Sequence, residues 1–313
     1  MSFISDLTPL NVAEEKQRFF NDFSYNPQFV YNREFTKQEL TQWGLPNQEM
    51  YQHALSMVEK NPIVNQKNKT AVTQEQVEKK ISQLLEQLGI PDTLSVKFEK
   101  NRITSCGITD TAIKFRIPLT YSSSDLEAVL GHEIETHFLR KRNNLQQPWA
   151  SKTRPDYLFR STEEGLAKLH GYLHLEDKTM KQAFYTYVAV YLAQTLSFSQ
   201  LFAQLMDLGL WQDRAWFVTL VTKRGLTDTS QPGGITKTVT YIQGALRVLK
   251  WILSQSNDPH QLYWGRIDIN EIEHLSKVAI KDNLLFPTFF ADMDDYQNKI
   301  LEICQANNFE KFL

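Results

Sequence analysis

His132 and His137 stand five residues apart in the string Gly131-His132-Glu133-Ile134-Glu135-Thr136-His137, and no other feature limits the local fold of this chain so closely. The string lies in a stretch that reads as one helix. Ser124 and Glu127 have capping-box spacing, and Leu126, Val129, Leu130, Ile134 and Phe138 recur at helical intervals as far as about Arg142. On an ideal α-helix, at ~100° per residue, side chains four apart lie ~40° from each other, whereas side chains five apart lie ~140° from each other. Two imidazoles so separated cannot meet at one point. A single π-type turn closes the gap; such turns are rare and gather at functional sites, and the spacing predicts one between His132 and His137.

The surrounding pattern is that of an α+β chain, mostly helical, with a small sheet. Thr73 and Gln76 cap a helix whose apolar face is Val77, Ile81, Leu84, Leu85 and Leu88, and Gly89-Ile90-Pro91 stops it. Alternating apolar and polar residues mark strands at 94–98 and 112–117, the second ended by Pro118. Further helices are expected at 162–176, 180–206, 211–222 and 235–252, with shorter ones after 268. Residues 1–70 carry an aromatic, turn-rich run expected to pack as an N-terminal wrap or lid over a catalytic domain at 71–313.

Charge and composition exclude several classes of function. With 34 Lys and Arg against 36 Asp and Glu, there is no electrostatic case for a nucleic acid or an anionic membrane. Cys106 and Cys304 match no metal-ligand spacing, and a disulfide framework is not expected. The first twenty residues lack the layout of a signal peptide. Residues 183–206 carry no charge and are long enough to span a bilayer, but Gln194, Thr195, Ser197, Ser199, Gln200 and Gln204 mark them as a buried helix. A cytoplasmic protein is the expectation.

Two neutral imidazoles leave a Zn²⁺ ion short of its usual three protein ligands and a water. Glu163 and Glu164, about thirty residues on, open the next expected helix; a helix, a loop and a helix supplying Glu form a gluzincin-like arrangement that takes one zinc ion. Three plainer readings stand beside it. Ser161 and Glu164 also have capping-box spacing, so Glu164 has a backbone role open to it. His170 and His174 form a rival pair at true helical spacing. Arg140-Lys141-Arg142 reads as a solvated helix end opposing the dipole.

At these residues the chain resembles the family named for a Q-E-G-L-A motif, which includes microtubule-associated tyrosine carboxypeptidases and bacterial relatives labelled as modulators of flavohaemoglobin expression. The resemblance rests on Asn26-Pro27-Gln28-Phe29-Val30-Tyr31, the G-H-E-I-x-T-H-x-L-R run at 131–140, Glu164-Gly165-Leu166-Ala167, Arg224-Gly225-Leu226, Gly233-Gly234-Ile235-Thr236-Lys237 and Tyr241-Ile242-Gln243-Gly244. Dipeptidyl-peptidase III is similar in pairing H-E-x-x-x-H with a later double glutamate. The resemblance implies a zincin-like core in which His132, His137 and Glu164 bind zinc and Glu133 is the catalytic carboxylate. Three residues depart from the pattern: Glu135 stands where Gly is usual, Glu163 replaces the motif Gln, and Thr238 follows Lys237 where an acid is common. The first two are expected to add negative charge near the metal.

The expected activity is that of a metallo-carboxypeptidase acting on a peptide or protein C-terminus. Arg224 and Lys237 are candidates for the terminal carboxylate, Tyr241 for the oxyanion, and the strand at 112–117 for pairing with an extended substrate. A regulatory protein keeping a structural zinc site, and an aminopeptidase or dipeptidyl-peptidase, remain as alternatives. The side-chain preference of the substrate and the oligomeric state are not readable from the sequence.

Overall fold

The computed structural model describes residues 3–64, 70–100, 102, 104–150, 155–254 and 257–313. The chain divides into two compact units, each built from two separated stretches. The first joins Met1–Asn65 to Met180–Ile242, and the second joins Gln66–Thr179 to Gln243–Leu313.

The first unit is helical. Helices Val12–Asn21 and Gln48–Lys60 come from the N-terminal stretch, and Lys181–Ala193, Phe198–Asp207 and Gln212–Lys223 from the later one. Aromatic residues hold the two stretches together: Phe19, fully buried, meets Phe198, Phe202 and Trp216 at ring-centroid distances of 5.1, 4.8 and 5.3 Å. Phe19 and Phe29, both fully buried, thus belong to the core of this unit. The helix expected over 180–206 is two helices. The chain turns after Ala193, and Ser197 caps the second by accepting from the Gln200 backbone N–H. Local capping outcompetes continuation here because Ser and Thr offer the backbone an alternative partner. No helix among the described residues is long and apolar enough to cross a membrane.

The second unit carries the sheet. Strand β1 (Ser95–Glu99) pairs parallel with β3 (Ala112–Arg116), and β2 (Cys106–Ile108) pairs antiparallel with the other side of β3, giving the order β1-β3-β2. β2 has only three residues, too few for an alternation to register in the sequence. Because β3 is hydrogen-bonded on both sides, the expectation that 112–117 pairs with substrate is wrong. The outer edges of β1 and β2 are the unpaired ones among the described strands, and of the two it is β2 that packs beside the π turn.

Helix Gln74–Gln87 follows its expected cap at Thr73 and Gln76 and buries Val77, Ile81, Leu84 and Leu85. It ends at Gly89, whose φ of 70° is costly for residues with a Cβ. The next helix begins two residues earlier than expected. Ser122, not Ser124, accepts from the Asp125 N–H, and Asp125 returns the bond to the Ser122 N–H at 3.0 Å. Glu127, the residue expected in that role, pairs instead with Lys80.

Candidate metal centre

The π turn expected from the five-residue spacing is present. Residues Ser123–His132 are α-helical, Glu133–Phe138 form a π segment, and Leu139–Asn144 resume the α repeat. The extra residue rotates His137 onto the face of His132: the two Nε2 atoms lie 3.2 Å apart, with the rings edge to face at 81°. Glu164 enters from helix Arg160–Leu173. One ligand atom from each of His132, His137 and Glu164 lies within 4.8 Å of the other two, and Glu164 Oε2 is 3.9 Å from His137 Nε2.

The capping role weighed for Glu164 does not hold. The helix starts at Arg160 behind Phe159 with no side-chain cap, which places Glu164 beyond the first turn. Its other oxygen, Oε1, accepts from the Arg160 guanidinium at 3.1 Å.

Glycine sets how near this helix can come to its neighbours. A Cβ on Gly165 would fall 2.1 Å from the Gly244 carbonyl carbon, and one on Gly244 would fall 2.2 Å from the Ser161 oxygen. Both obstacles are backbone and cannot yield by a rotamer change. The Gly of E-G-L-A and the Gly of Y-I-Q-G are therefore two sides of one helix crossing, immediately beside Glu164. Gly165→Ala is expected to cost about 2–3 kcal/mol by overpacking, read as a lowered unfolding midpoint in urea, while an exposed-helix control such as Lys79→Ala changes it little.

Glu163 lies behind the ligands. Its Oε1 accepts from His137 Nδ1 at 3.0 Å, which leaves His137 Nε2 as the nitrogen with a free lone pair facing His132. Its Oε2 accepts from Arg140, and Arg266 Nε lies 3.4 Å from Oε1. Burial alone would raise the pKa of this carboxyl, but the Arg140 and Arg266 charges and His137 hold it well below the usual range. Arg140 is therefore not a solvated cation at a helix end. It is fully buried and also donates to the Leu262 and Ile267 carbonyls at 2.8 and 2.9 Å. At His137, burial pushes the imidazole pKa down, and the Glu163 hydrogen bond with the Glu164, Glu163 and Glu133 charges outweighs it and raises it. The desolvated Cys106 thiol and Tyr121 hydroxyl are both raised, by burial first, with the Glu133 charge adding to it.

The other expected contributions are redistributed. The Glu135 carboxylate is turned to Thr288, whose N–H and Oγ1 both donate to Oε1 at 2.7 Å, and it does not join the ligand cluster. His170 and His174 are not a metal pair. His170 is fully buried among Thr136, Tyr263 and Tyr296, and His174 Nε2 sits 4.0 Å from Glu135 Oε2. Among the described residues, His132, His137 and Glu164 are the group that fits a metal. Two imidazole nitrogens and a carboxylate oxygen converging on one point, with more carboxylates behind, form a donor set that suits Zn²⁺.

The family model for microtubule-associated tyrosine carboxypeptidases matches residues 17–310. The chain belongs to this family. The mouse protein named "Putative tyrosine carboxypeptidase MATCAP2" is 29% identical over 338 residues, covering 98% of this chain and 62% of its own length. Mouse and human microtubule-associated tyrosine carboxypeptidase 1 are each 28% identical over 323 and 325 residues, covering 97% of this chain and 68% of their own. The chain thus spans about two thirds of the length of these tyrosine carboxypeptidases, and less than that of the mouse MATCAP2 protein.

Of the remaining candidates in this tyrosine carboxypeptidase relative, Arg224, Lys237 and Tyr241 lie in the first unit and are gathered there with Tyr31. Lys237 Nζ stands 5.5 Å from the Tyr241 ring centroid. Arg224 is 7% exposed; burial lowers its pKa, against the opposing influence of Tyr241 and Tyr31. Among the described residues, no carboxylate forms an ion pair with Arg224. Sequence reasoning missed Tyr263 and Arg266 and misread Arg140 and Glu163, whose only signal was their place inside the shared motifs.

Proposed function

We propose that this chain is a zinc-dependent carboxypeptidase with a zincin-like catalytic core, releasing the last residue of a peptide or protein and preferring tyrosine. The observation that carries this reading is the π turn that brings His132 Nε2 to 3.2 Å from His137 Nε2 with Glu164 alongside. A structural zinc site is closed by four protein ligands, whereas three protein groups beside a further carboxylate, Glu133, match an open catalytic site. A zinc ion held by His132, His137 and Glu164 would supply a Lewis acid and bring the pKa of a water towards neutrality.

The chain's own residues do the rest. Glu133 takes the proton from the attacking water and delivers it to the leaving amine. Glu163 keeps His137 in one tautomer and orientation, and Arg160 steadies Glu164. The outer edge of β2 offers backbone groups to an extended substrate. Arg224 and Lys237 are assigned to the terminal carboxylate and Tyr241 to the oxyanion. A buried guanidinium without a carboxylate partner among the described residues supports the first of these. The names of the relatives support the choice of tyrosine.

The test is an incubation of the full chain with a peptide pool degenerate at both ends, followed by mass spectrometry. Loss of one C-terminal residue, enriched for tyrosine and abolished by a chelator, is expected, with zinc restoring it. Trimming from the N-terminus would replace the carboxypeptidase reading by an aminopeptidase one. Bound zinc without any turnover would leave a structural site.

A further inference from the structure

A change from the π repeat back to the α repeat must strand a carbonyl. Leu139 N–H reaches back five residues to Ile134 O and also meets Thr136 O, and the α repeat resumes within Leu139–Asn144. Glu135 O, which lies between those two acceptors in the chain, is passed over by Leu139 N–H. Glu135 is buried, and a buried carbonyl needs a donor. Tyr263 supplies it from 128 residues away, its hydroxyl donating to Glu135 O at 2.7 Å. At the other end of the turn, Thr136 Oγ1 donates to Gly131 O at 2.8 Å.

His170 joins the two hydroxyls. Its Nδ1 is 2.8 Å from Thr136 Oγ1 and 3.2 Å from Tyr263 OH, and its Nε2 is 3.1 Å from Tyr296 OH. Both hydroxyl protons on the Nδ1 side are committed to carbonyls, so Nδ1 carries the hydrogen and donates, while Nε2 accepts from Tyr296. Every polar atom in this sealed cluster then has a partner of the right kind. Phe289 and Phe290 close it off at ring-centroid distances of 4.7 and 6.2 Å from His170.

We infer that Tyr263, Thr136 and His170 form a latch that holds the helix in its π register and so keeps His137 beside His132. They are positioning residues for the metal centre and touch neither metal nor substrate. The inference rests on the metal reading above only in its consequence for zinc; the latch itself is a property of the metal-free chain. It gives a use to His170, which sequence reasoning considered only as a rival ligand.

Three variants of the full chain test it. Tyr263→Phe removes only the hydroxyl over Glu135 O; Thr136→Val removes a hydroxyl and keeps the shape; Thr136→Ser keeps the hydroxyl and loses a methyl group. In zinc-free protein, amide hydrogen exchange across 131–140 is expected to quicken at least tenfold in Tyr263→Phe and Thr136→Val and to stay near wild type in Thr136→Ser. Zinc affinity, measured by competition with a chromophoric chelator, is expected to weaken about 10–100-fold in the first two, the usual effect of losing an outer partner. Should Tyr263→Phe not fold, the Thr136 pair carries the test alone. Unchanged exchange in Tyr263→Phe, or equal effects of Val and Ser at 136, would overturn the latch. A wild-type protein that takes up no zinc counts against the metal reading instead, and the exchange comparison still decides the latch.

Discussion

Glu133→Gln is expected to retain zinc at wild-type affinity and to lose about 10²–10⁴-fold in kcat/KM, the range that a positioned general base supplies. Holding the metal and moving the proton fall to different residues. The three converging ligand atoms come from His132, His137 and Glu164, and Glu133 is not among them. An amide of the same size keeps the shape of the site and cannot accept a proton from water. His132→Ala, in contrast, should lose zinc and turnover together. The distinction is made by measuring zinc stoichiometry and single-turnover cleavage on the same preparations. Cleavage within fivefold of wild type in zinc-loaded Glu133→Gln would remove Glu133 from the mechanism.

What could be read in advance, and what could not, follows the range of the interactions. The π turn was legible because its cause is local: a count of residues between His132 and His137. The Thr73 cap and the apolar face of its helix were legible for the same reason. The start of the next helix was misassigned by two residues because Ser122, Ser123 and Ser124 stand in a row, and the choice among them falls to Asp125 rather than Glu127. Arg140 was misread because its partners are remote. Its carboxylate lies 23 residues away and its two carbonyls 122 and 127 residues away, so a local reading sees only three basic residues ending a helix. Glu163 suffered likewise: beside the metal it reads as surplus charge, until Arg140 and Arg266 are placed on it. Tyr263 gave no signal, since its partner is a backbone carbonyl whose need for a donor arises only once the helix repeat changes.

Arg140→Met should destabilise the protein by about 3–5 kcal/mol, because it removes one partner of a buried ion pair and leaves the other charge behind. Arg140 and Glu163 are 0% and 1% exposed, so water cannot make up the loss. Two further buried carbonyls, of Leu262 and Ile267, lose their donor in the same step. Glu163→Gln in the Arg140→Met background deletes the stranded charge, and the pair of substitutions is expected to cost at least ~1.5 kcal/mol less than the sum of the two singles. Urea unfolding of the four proteins in chelator measures this cycle without interference from zinc. The same cycle in zinc affinity reads the functional side of the pair. Arg140 fixes Glu163, and Glu163 fixes the tautomer of His137, so both singles should bind zinc about 10–100-fold more weakly. Stability costs that add to within ~0.5 kcal/mol would mean that the two groups do not depend on each other, and that His137 is oriented by the π turn alone.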